Sequence, residues 1–359
     1  MTSSDTWDPT DFRTRLQQLL DSFVDEQEER LRPLGADAAR LADAARSAVT
    51  GGKRFRAMFC YWGFRAVRDP QDAEEETSLL RAAAALELLH ASALVHDDYM
   101  DASDTRRGRP SVHRAFAELH RSDAWRGNPE QYGAAAAILL GDLLLSWADE
   151  MLRGCGLPDD VVLGALRWFD VTRTEVIVGQ FLDVSVQARG DADVEQSMRV
   201  LRYKSAKYSV ERPLHVGAAL AGADPKALEV LSEYGLPLGE AFQLRDDLLG
   251  VFGDPAVTGK PAGDDLSEGK RTVLVALALA GASEEDAATL DRRLGHRLDG
   301  REVAELQRII ERSGAHADVE QRIDSLTERC LAALDSDVLM PRARATLRDL
   351  AEAATQRVV

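Results

Sequence analysis

The stretch LELLHASALVHDDYMDASDTRRGR, Leu86 to Arg109, decides how the chain is read. Its apolar run ends in Asp97, Asp98 and Asp101, and Arg106, Arg107 and Arg109 follow directly. From about Leu79 to Asp101 there is neither Gly nor Pro, and apolar residues cover nearly every face. That pattern predicts a helix buried on most sides. Carboxylates in the last turn of a helix meet the negative end of its dipole, so three of them there need cations. Asp97 and Asp101 share one face about a turn apart, a spacing that suits a divalent metal. A solvated acid-rich helix end is the plainer reading of this segment alone.

The rest of the chain supplies a partner for it. FQLRDDLLGVFGD closes another apolar helical stretch with Asp246-Asp247. Carboxylates on two facing helices would bracket a hard cation such as Mg²⁺, which binds few carboxylates and takes its remaining oxygens from phosphates. Basic groups recur beside these acids. GGKRFR (Gly51–Arg56) sets permissive backbone and three cations at a helix start, where free N–H groups favour anions. Lys204 and Lys207 flank Ser205 on a helix, Lys260 lies in a Gly/Pro loop, and Lys270-Arg271 follow. Singly each reads as surface solvation; together they suggest two diphosphate pockets, one bridged by metal and one purely cationic. His90 lies two turns before Asp97 and can donate to a phosphate oxygen, although a satisfied core histidine is the blander alternative.

Bulk properties narrow the field. The chain has 359 residues, 45% of them hydrophobic, enough for a full core. Lys+Arg 44 against Asp+Glu 61 gives a formal charge of -17, which argues against general nucleic-acid or anionic-membrane binding. Cys60, Cys155 and Cys330 are scattered without metal spacing and read as buried thiols in a reducing compartment. The opening MTSSDTWDPTDF is too polar for a signal peptide, and no apolar run is expected to span a membrane, so a cytoplasmic location follows.

Helical periodicity recurs along the chain without convincing strand alternation, a dividing linker or a repeat of solenoid length. The expectation is an all-α fold: residues 1–10 form a flexible polar lead, and residues 11–359 form one bundle of about a dozen helices around a deep cavity. Pro213 reads as a kink, and Gly235, Pro237 and Gly239 read as interruptions of the helix that ends near Val251.

These motifs, in this order, resemble the trans-isoprenyl diphosphate synthases, or polyprenyl synthetases, and most of all the bacterial geranylgeranyl diphosphate synthases. The likeness runs from Gly51 to Thr272 through GGKRFR, HASALVHDDYMD with RRGRP, GQFLD (Gly179–Asp183), YKSAKYS (Tyr203–Ser209), FQLRDD (Phe242–Asp247) and GKPAGDDLSEGKRT. It implies the isoprenoid synthase fold and condensation of isopentenyl diphosphate with an allylic diphosphate (dimethylallyl, geranyl or farnesyl). Asp97, Asp101, Asp246 and Asp247 would hold Mg²⁺, about three ions per site with Mn²⁺ as a substitute, and Asp98 would support them. Arg106, Lys204, Lys260 and Lys270 would contact the allylic diphosphate. Lys53, Arg56, His90 and Arg107 would hold isopentenyl diphosphate, while Ser205 and Gln243 would present oxygen dipoles to the allylic cation. The family also implies a homodimer.

Three departures stand out. Gly250 replaces a frequent third Asp, leaving open whether Asp254 assists; Ser205 replaces Thr; Ala57 replaces Pro. For product length, small Ser92 and Ala93 would let a chain pass, and Leu89 and Leu86 would stop it at geranylgeranyl diphosphate. The alternatives are a farnesyl product or one of C25 and above, a class I terpene cyclase, and a non-catalytic partner subunit. Asp246-Asp247 and GGKRFR argue against the cyclase, and the intact Asp97, Asp98 and Asp101 argue against the subunit.

Overall fold

A helix from Ala73 to Met100 runs through the middle of the molecule. Asp72 caps it by accepting from the backbone N–H groups of Glu74 and Glu75 at 3.0 and 2.9 Å, and Glu74, Glu75 and Glu76 meet the positive end of its dipole. Beyond that turn its side chains are apolar on all sides, because other helices cover it from several directions. The computed structural model describes residues 7–190, 193–254 and 263–355.

In chain order the helices are α1 (Pro9–Leu31), α2 (Ala36–Val49), α3 (Phe55–Val67), α4 (Ala73–Met100), α5 (Val112–Ser122), α6 (Pro129–Arg153) and α7 (Asp159–Arg189). They continue with α8 (Val194–Val200), a π-helical segment (Leu201–Glu211), α9 (Arg212–Leu220), α10 (Pro225–Phe252) and α11 (Asp264–Glu268). Last come α12 (Val273–Gly281), α13 (Glu284–Arg293), α14 (Gly300–Arg312), α15 (Ala315–Ala333) and α16 (Pro341–Thr355). The all-α expectation holds, with one small exception. Thr105–Arg106 pair antiparallel with Arg109–Pro110 across a turn in which Arg107 (φ 53) and Gly108 (φ 73) are both left-handed. Those dihedrals match the two-residue turns that suit a hairpin's twist.

Two apolar cores meet on α10. Its first half, from Ala227 to Leu238, packs into a core shared with α1, α3, α4, α6, α7 and α9. Its second half, from Ala241 to Val251, packs with α12, α14 and α15. The expected interruption at Gly235, Pro237 and Gly239 does not occur, because the glycines serve packing instead. A Cβ at Gly239 would lie 2.4 Å from the Ala206 carbonyl oxygen, so α10 and the π segment touch backbone to backbone. Pro213 sits in the first turn of α9, where no intrahelical N–H is required of it. The widened π turn just before it accommodates a ring that would crowd the Ser209 carbonyl in an α-helix.

The flexible lead expected over residues 1–10 does not extend to its last four. Trp7 stacks on Tyr61 with centroids 5.5 Å apart and edges onto Trp62 at 5.1 Å, and α1 already begins at Pro9. The three cysteines are buried and free. Contrary to the expectation for apolar runs, α4 is long and apolar enough to cross a membrane, but most of that stretch is buried inside the protein. Its hydrophobicity is spent on the core.

Candidate active site

The two acid-bearing helix ends open onto one cavity of about 960 Å³. From α4, His90, Ala93, Leu94 and Asp97 face it; from α10, Gln243, Asp246, Asp247 and Gly250 do. Val176, Gln180 and Asp183 of α7 and Lys204, Ser205 and Tyr208 of the π segment form another wall. Neither α4 nor α10 has a basic residue in its last turn, so both dipoles leave their negative ends unanswered by their own sequence.

Cations from other elements answer them. Lys204 reaches Asp97 at 3.1 Å and Asp183 at 2.5 Å. Lys270 reaches Glu268 at 2.5 Å, Asp265 at 3.4 Å and Asp101 at 3.7 Å. Burial alone would push the Asp97 carboxyl up, but Lys204 and Lys270 outweigh it and hold its pKa below the ordinary value. Asp101 goes the other way, to about 6, through burial and the Asp97 charge. Asp247 rises to about 8 through burial; a bond from Gln243 lowers it, and the charges of Asp265 and Asp246 raise it further. Two carboxyls raised beside one that is lowered mark a site short of positive charge.

Another flank of the cavity carries Lys53, Arg56 and His90. Arg56 lies over the Tyr208 ring at 4.2 Å and donates to Ser209 Oγ at 2.8 Å. The His90 pKa falls well below its usual value, first through burial and then through the charges of Arg56, Arg107, Arg106 and Arg54. Burial and neighbouring arginines likewise depress Arg107. Cations crowded until they repel one another form a receptor for an anion. Arg54 fixes the loop that carries Lys53. It is buried in a left-handed conformation (φ 59) and donates to Glu87 at 3.1 Å and Gln17 at 2.5 Å. Glu87 also accepts the Ala57 N–H at 3.2 Å, a bond that Pro at that position would forfeit.

Several expected residues lie elsewhere. Asp98 is 3% exposed and turns from the cavity to hold the Arg106 Nε at 2.8 Å. Arg107 is not among the cavity-lining residues; it donates to the Thr50 carbonyl at 2.8 Å, against the GGKRFR loop. Asp101 lies behind Lys270 rather than on the cavity wall. Of the length-setting candidates, Ala93 lines the cavity, whereas Leu86, Leu89 and Ser92 are buried outside its lining. At about 100° per residue, Ser92 points roughly 140° away from Asp97, while Leu86 falls back on the Asp97 stripe about 16 Å deeper. Lys260 lies outside the described residues.

Four further residues enter the site. Gln180 donates to Asp97 Oδ1 at 3.0 Å, and Asp183 holds Lys204. Tyr208 bonds His90 at 2.9 Å, and Asp265 lines the wall beside Asp247. GQFLD flagged the first two by setting polar groups in an apolar helix. Tyr208 and Asp265 lie inside the quoted YKSAKYS and GKPAGDDLSEGKRT motifs, but no role was assigned to either.

The chain matches the family described as polyprenyl synthetase over residues 38–312. It belongs to the polyprenyl synthetase family. Identity to a short chain isoprenyl diphosphate synthase of Methanothermobacter thermautotrophicus is 33% over 330 residues, covering 90% of this chain and 94% of that one. Identity to a geranylfarnesyl diphosphate synthase of Aeropyrum pernix is 32% over 294 residues, covering 81% and 85%. Among solved structures, a geranylgeranyl pyrophosphate synthase of Corynebacterium glutamicum, complexed with isoprenyl diphosphate and magnesium, superposes with TM-score 0.95 at 43% identity. That match covers 98% of this chain and 100% of the neighbour. This polyprenyl synthetase is therefore a trans-prenyltransferase that makes a prenyl diphosphate.

The donor set fits the Mg²⁺ that the family uses. Among the described residues no three His, Cys, Asp or Glu converge closely enough to cage a metal alone. Carboxylates spread over two helix ends suit an ion that takes one or two of them and completes its shell with water and phosphate.

Proposed function

We propose that this polyprenyl synthetase condenses isopentenyl diphosphate with an allylic diphosphate and releases mainly geranylgeranyl diphosphate. The observation that carries the reading is the division of one cavity between two anion sites. Asp97, Asp246 and Asp247 line it together with Lys204 and Lys270, and Lys53, Arg56 and His90 line it as a second, mainly basic group.

In this reading Asp97, Asp101, Asp246 and Asp247 hold the metal. Mg²⁺, about three ions with Mn²⁺ as a substitute, supplies Lewis-acid stabilisation of the departing diphosphate. Lys204, Arg106 and Lys270 add fixed positive charge around the same oxygens. Asp98 positions Arg106, and Gln180 and Asp183 position Asp97 and Lys204. Lys53, Arg56 and His90 bind isopentenyl diphosphate, and Arg107 steadies the loop before Lys53. The allylic C–O bond breaks with its electron pair leaving on the diphosphate. The isopentenyl double bond then forms the new C–C bond. Ser205 and Gln243 offer oxygen dipoles to the cation between these events; the Gln243 amide donates to Asp247 at 2.9 Å, which turns its oxygen the other way. Loss of a proton to the released diphosphate restores a double bond.

Ala93 keeps the tail path open beside Leu94 and Val176. Leu86, on the same helical stripe and fully buried, closes it below. A second copy of the chain covers the outer face of α7, where Ile177, Phe181 and Val184 are exposed about 100° round the helix from the cavity-lining Val176, Gln180 and Asp183. Incubation with isopentenyl and farnesyl diphosphates, followed by chromatography, tests the product. A C20 main product is expected, and dominance of C25 or longer chains would overturn it.

A further inference from the structure

Lys207 stands between two residues that line the cavity, yet it is not among them. Ser205 and Tyr208 face the cavity. The Lys207 ammonium turns instead to Glu211, one turn on, at 3.2 Å and to Glu175 of α7 at 3.7 Å. Arg212 completes the group. It donates to the two oxygens of Glu175 at 2.7 and 2.8 Å and lies 3.7 Å from Glu211. Two carboxylates and two cations balance here, and none of the four side chains is more than 17% exposed. Removing one member of such a group leaves its partners uncompensated away from water, a larger cost than breaking an exposed pair.

What the four charges hold is the winding of the chain. From Leu201 to Glu211 the backbone is π-helical, and the Arg212 N–H closes it on the Lys207 carbonyl five residues back. Such winding is rare, occurs mostly at functional sites, and persists where the surroundings over-determine it. On α7, Glu175, Gly179 and Asp183 stand four apart and form one stripe against this segment. Asp183 takes Lys204, Gly179 meets the backbone of Tyr203 and Lys204, and Glu175 takes Lys207 and Arg212. The stripe fastens the π turns at both ends. Lys204 and Tyr208 depend on that register, although they serve different parts of the cavity. Lys204 reaches Asp97 of the first acidic motif, and Tyr208 reaches His90 of the basic group.

We propose that Glu175 is a positioning residue for both diphosphate sites: through Lys207 and Arg212 it holds the π register that aims Lys204 at one and Tyr208 at the other. The proposal rests on the functional reading above for which substrate each site takes. To that reading it adds a carboxylate outside the cavity lining that couples the two sites.

Steady-state kinetics with each substrate varied in turn tests it, in the parent and in Tyr208→Phe. Glu175→Gln keeps the shape of the side chain and an oxygen for Arg212 but leaves the two cations in excess. It is expected to raise the KM for isopentenyl diphosphate about 5-fold, the worth of one net hydrogen bond, and to lower kcat about 10-fold as Lys204 leaves Asp97. In the Tyr208→Phe background the same substitution is expected to lower kcat as before. There it should leave the KM within about 2-fold, because the hydroxyl that Glu175 helps to aim is gone. Glu175→Asp keeps the charge one methylene short and is expected to show both changes at about 2- to 3-fold. A fraction of unfolded protein alone would lower kcat and leave both KM values unchanged. Glu175→Gln folded by circular dichroism, or Glu175→Asp where the first variant does not fold, with the parent's KM for isopentenyl diphosphate would overturn the proposal. So would a KM rise of equal size in both backgrounds. A Lys53→Ala variant with the parent's KM for isopentenyl diphosphate would instead overturn the functional reading itself.

Discussion

His90 Nδ1 lies 2.9 Å from the Tyr208 hydroxyl. Burial pushes the Tyr208 pKa up, so the phenol keeps its proton and donates it. The depressed His90 pKa keeps the imidazole neutral, so Nδ1 accepts and the remaining N–H is at Nε2. The pair fixes a tautomer in which Nε2–H is the donor left for a bound diphosphate. Tyr208→Phe preserves the ring under Arg56 but frees the imidazole. The KM for isopentenyl diphosphate is expected to rise about 5-fold, the worth of one net hydrogen bond, with the KM for the allylic substrate little changed. Steady-state kinetics with each substrate varied in turn would check it; equal effects on both would count against the separate sites.

Asp97 is where Lys204, Gln180 and Arg106 converge. Asp97→Ala removes a carboxylate proposed to hold the metal and leaves Lys53, Arg56 and His90 intact. Turnover is expected to fall by at least about 10²-fold, as when one preorganised electrostatic partner is lost. Isopentenyl diphosphate binding, followed by calorimetry, should persist; its loss would place both diphosphates in one site.

The place of Lys204 depends on Gly179. A Cβ there would lie 2.4 Å from the Lys204 backbone nitrogen and 2.5 Å from the Tyr203 carbonyl carbon, so α7 crosses the π segment with no room for a methyl. Gly179→Ala would gain helix propensity yet must force the two elements apart, at a cost of about 1–3 kcal/mol. Thermal melting should register the loss, and kcat should fall with it as Lys204 shifts from Asp97. A variant as stable as the parent would show that the crossing yields easily.

The acids of α4 and α10 were legible because they broke a local rule: negative side chains at negative helix ends, behind apolar runs. The all-helical fold was legible from periodicity alone. What stayed hidden depended on contacts between distant segments. Gly235 and Gly239 looked like helix breakers because the backbone they press against, at Glu211 and Ala206, lies well back along the chain. Gly250 looked like a deletion of charge because Asp265 reaches it only through the turn of α11. Ser92 looked like a gate because it was read by its distance from Asp97 along the chain, whereas at about 100° per residue only Ala93 turns toward the cavity that it lines.

On α7 the inward stripe builds the site, and the outward stripe asks for a cover. Ile177 is 56% exposed and Phe181 69%, with Val178 and Val184 beside them. A continuous apolar strip on an otherwise charged protein is expected to bury itself against a second copy. Sedimentation should give a dimer of the 39.3 kDa chain, and Phe181→Glu should shift it toward the monomer. A monomeric parent would refute the pairing.

His215 gives the fold a pH limit far from the chemistry. Its Nδ1 accepts from Arg212 at 3.1 Å, Nε2 lies 2.9 Å from Ser232 Oγ, and the ring packs on Trp168 with centroids 4.3 Å apart. Burial lowers its pKa to about 4; Glu211 raises it, Arg212 lowers it, and Lys207 lowers it slightly. The imidazole is thus neutral in the folded state over a range where the unfolded chain, at about 6.5, takes up a proton. Protons favour the unfolded state in that window, so stability is full above pH 6.5 and drains as the pH falls toward 4. By pH 4.5 the loss amounts to about 2.5 kcal/mol from this one group. His215→Gln keeps an acceptor for Arg212 and a donor for Ser232 but cannot titrate. Urea unfolding at pH 7 and pH 4.5 separates this group from the carboxylates that titrate nearby, because those are common to both proteins. The parent should lose about 2.5 kcal/mol more than the variant over that interval; parallel losses would mean that His215 takes up its proton as readily in the folded as in the unfolded chain.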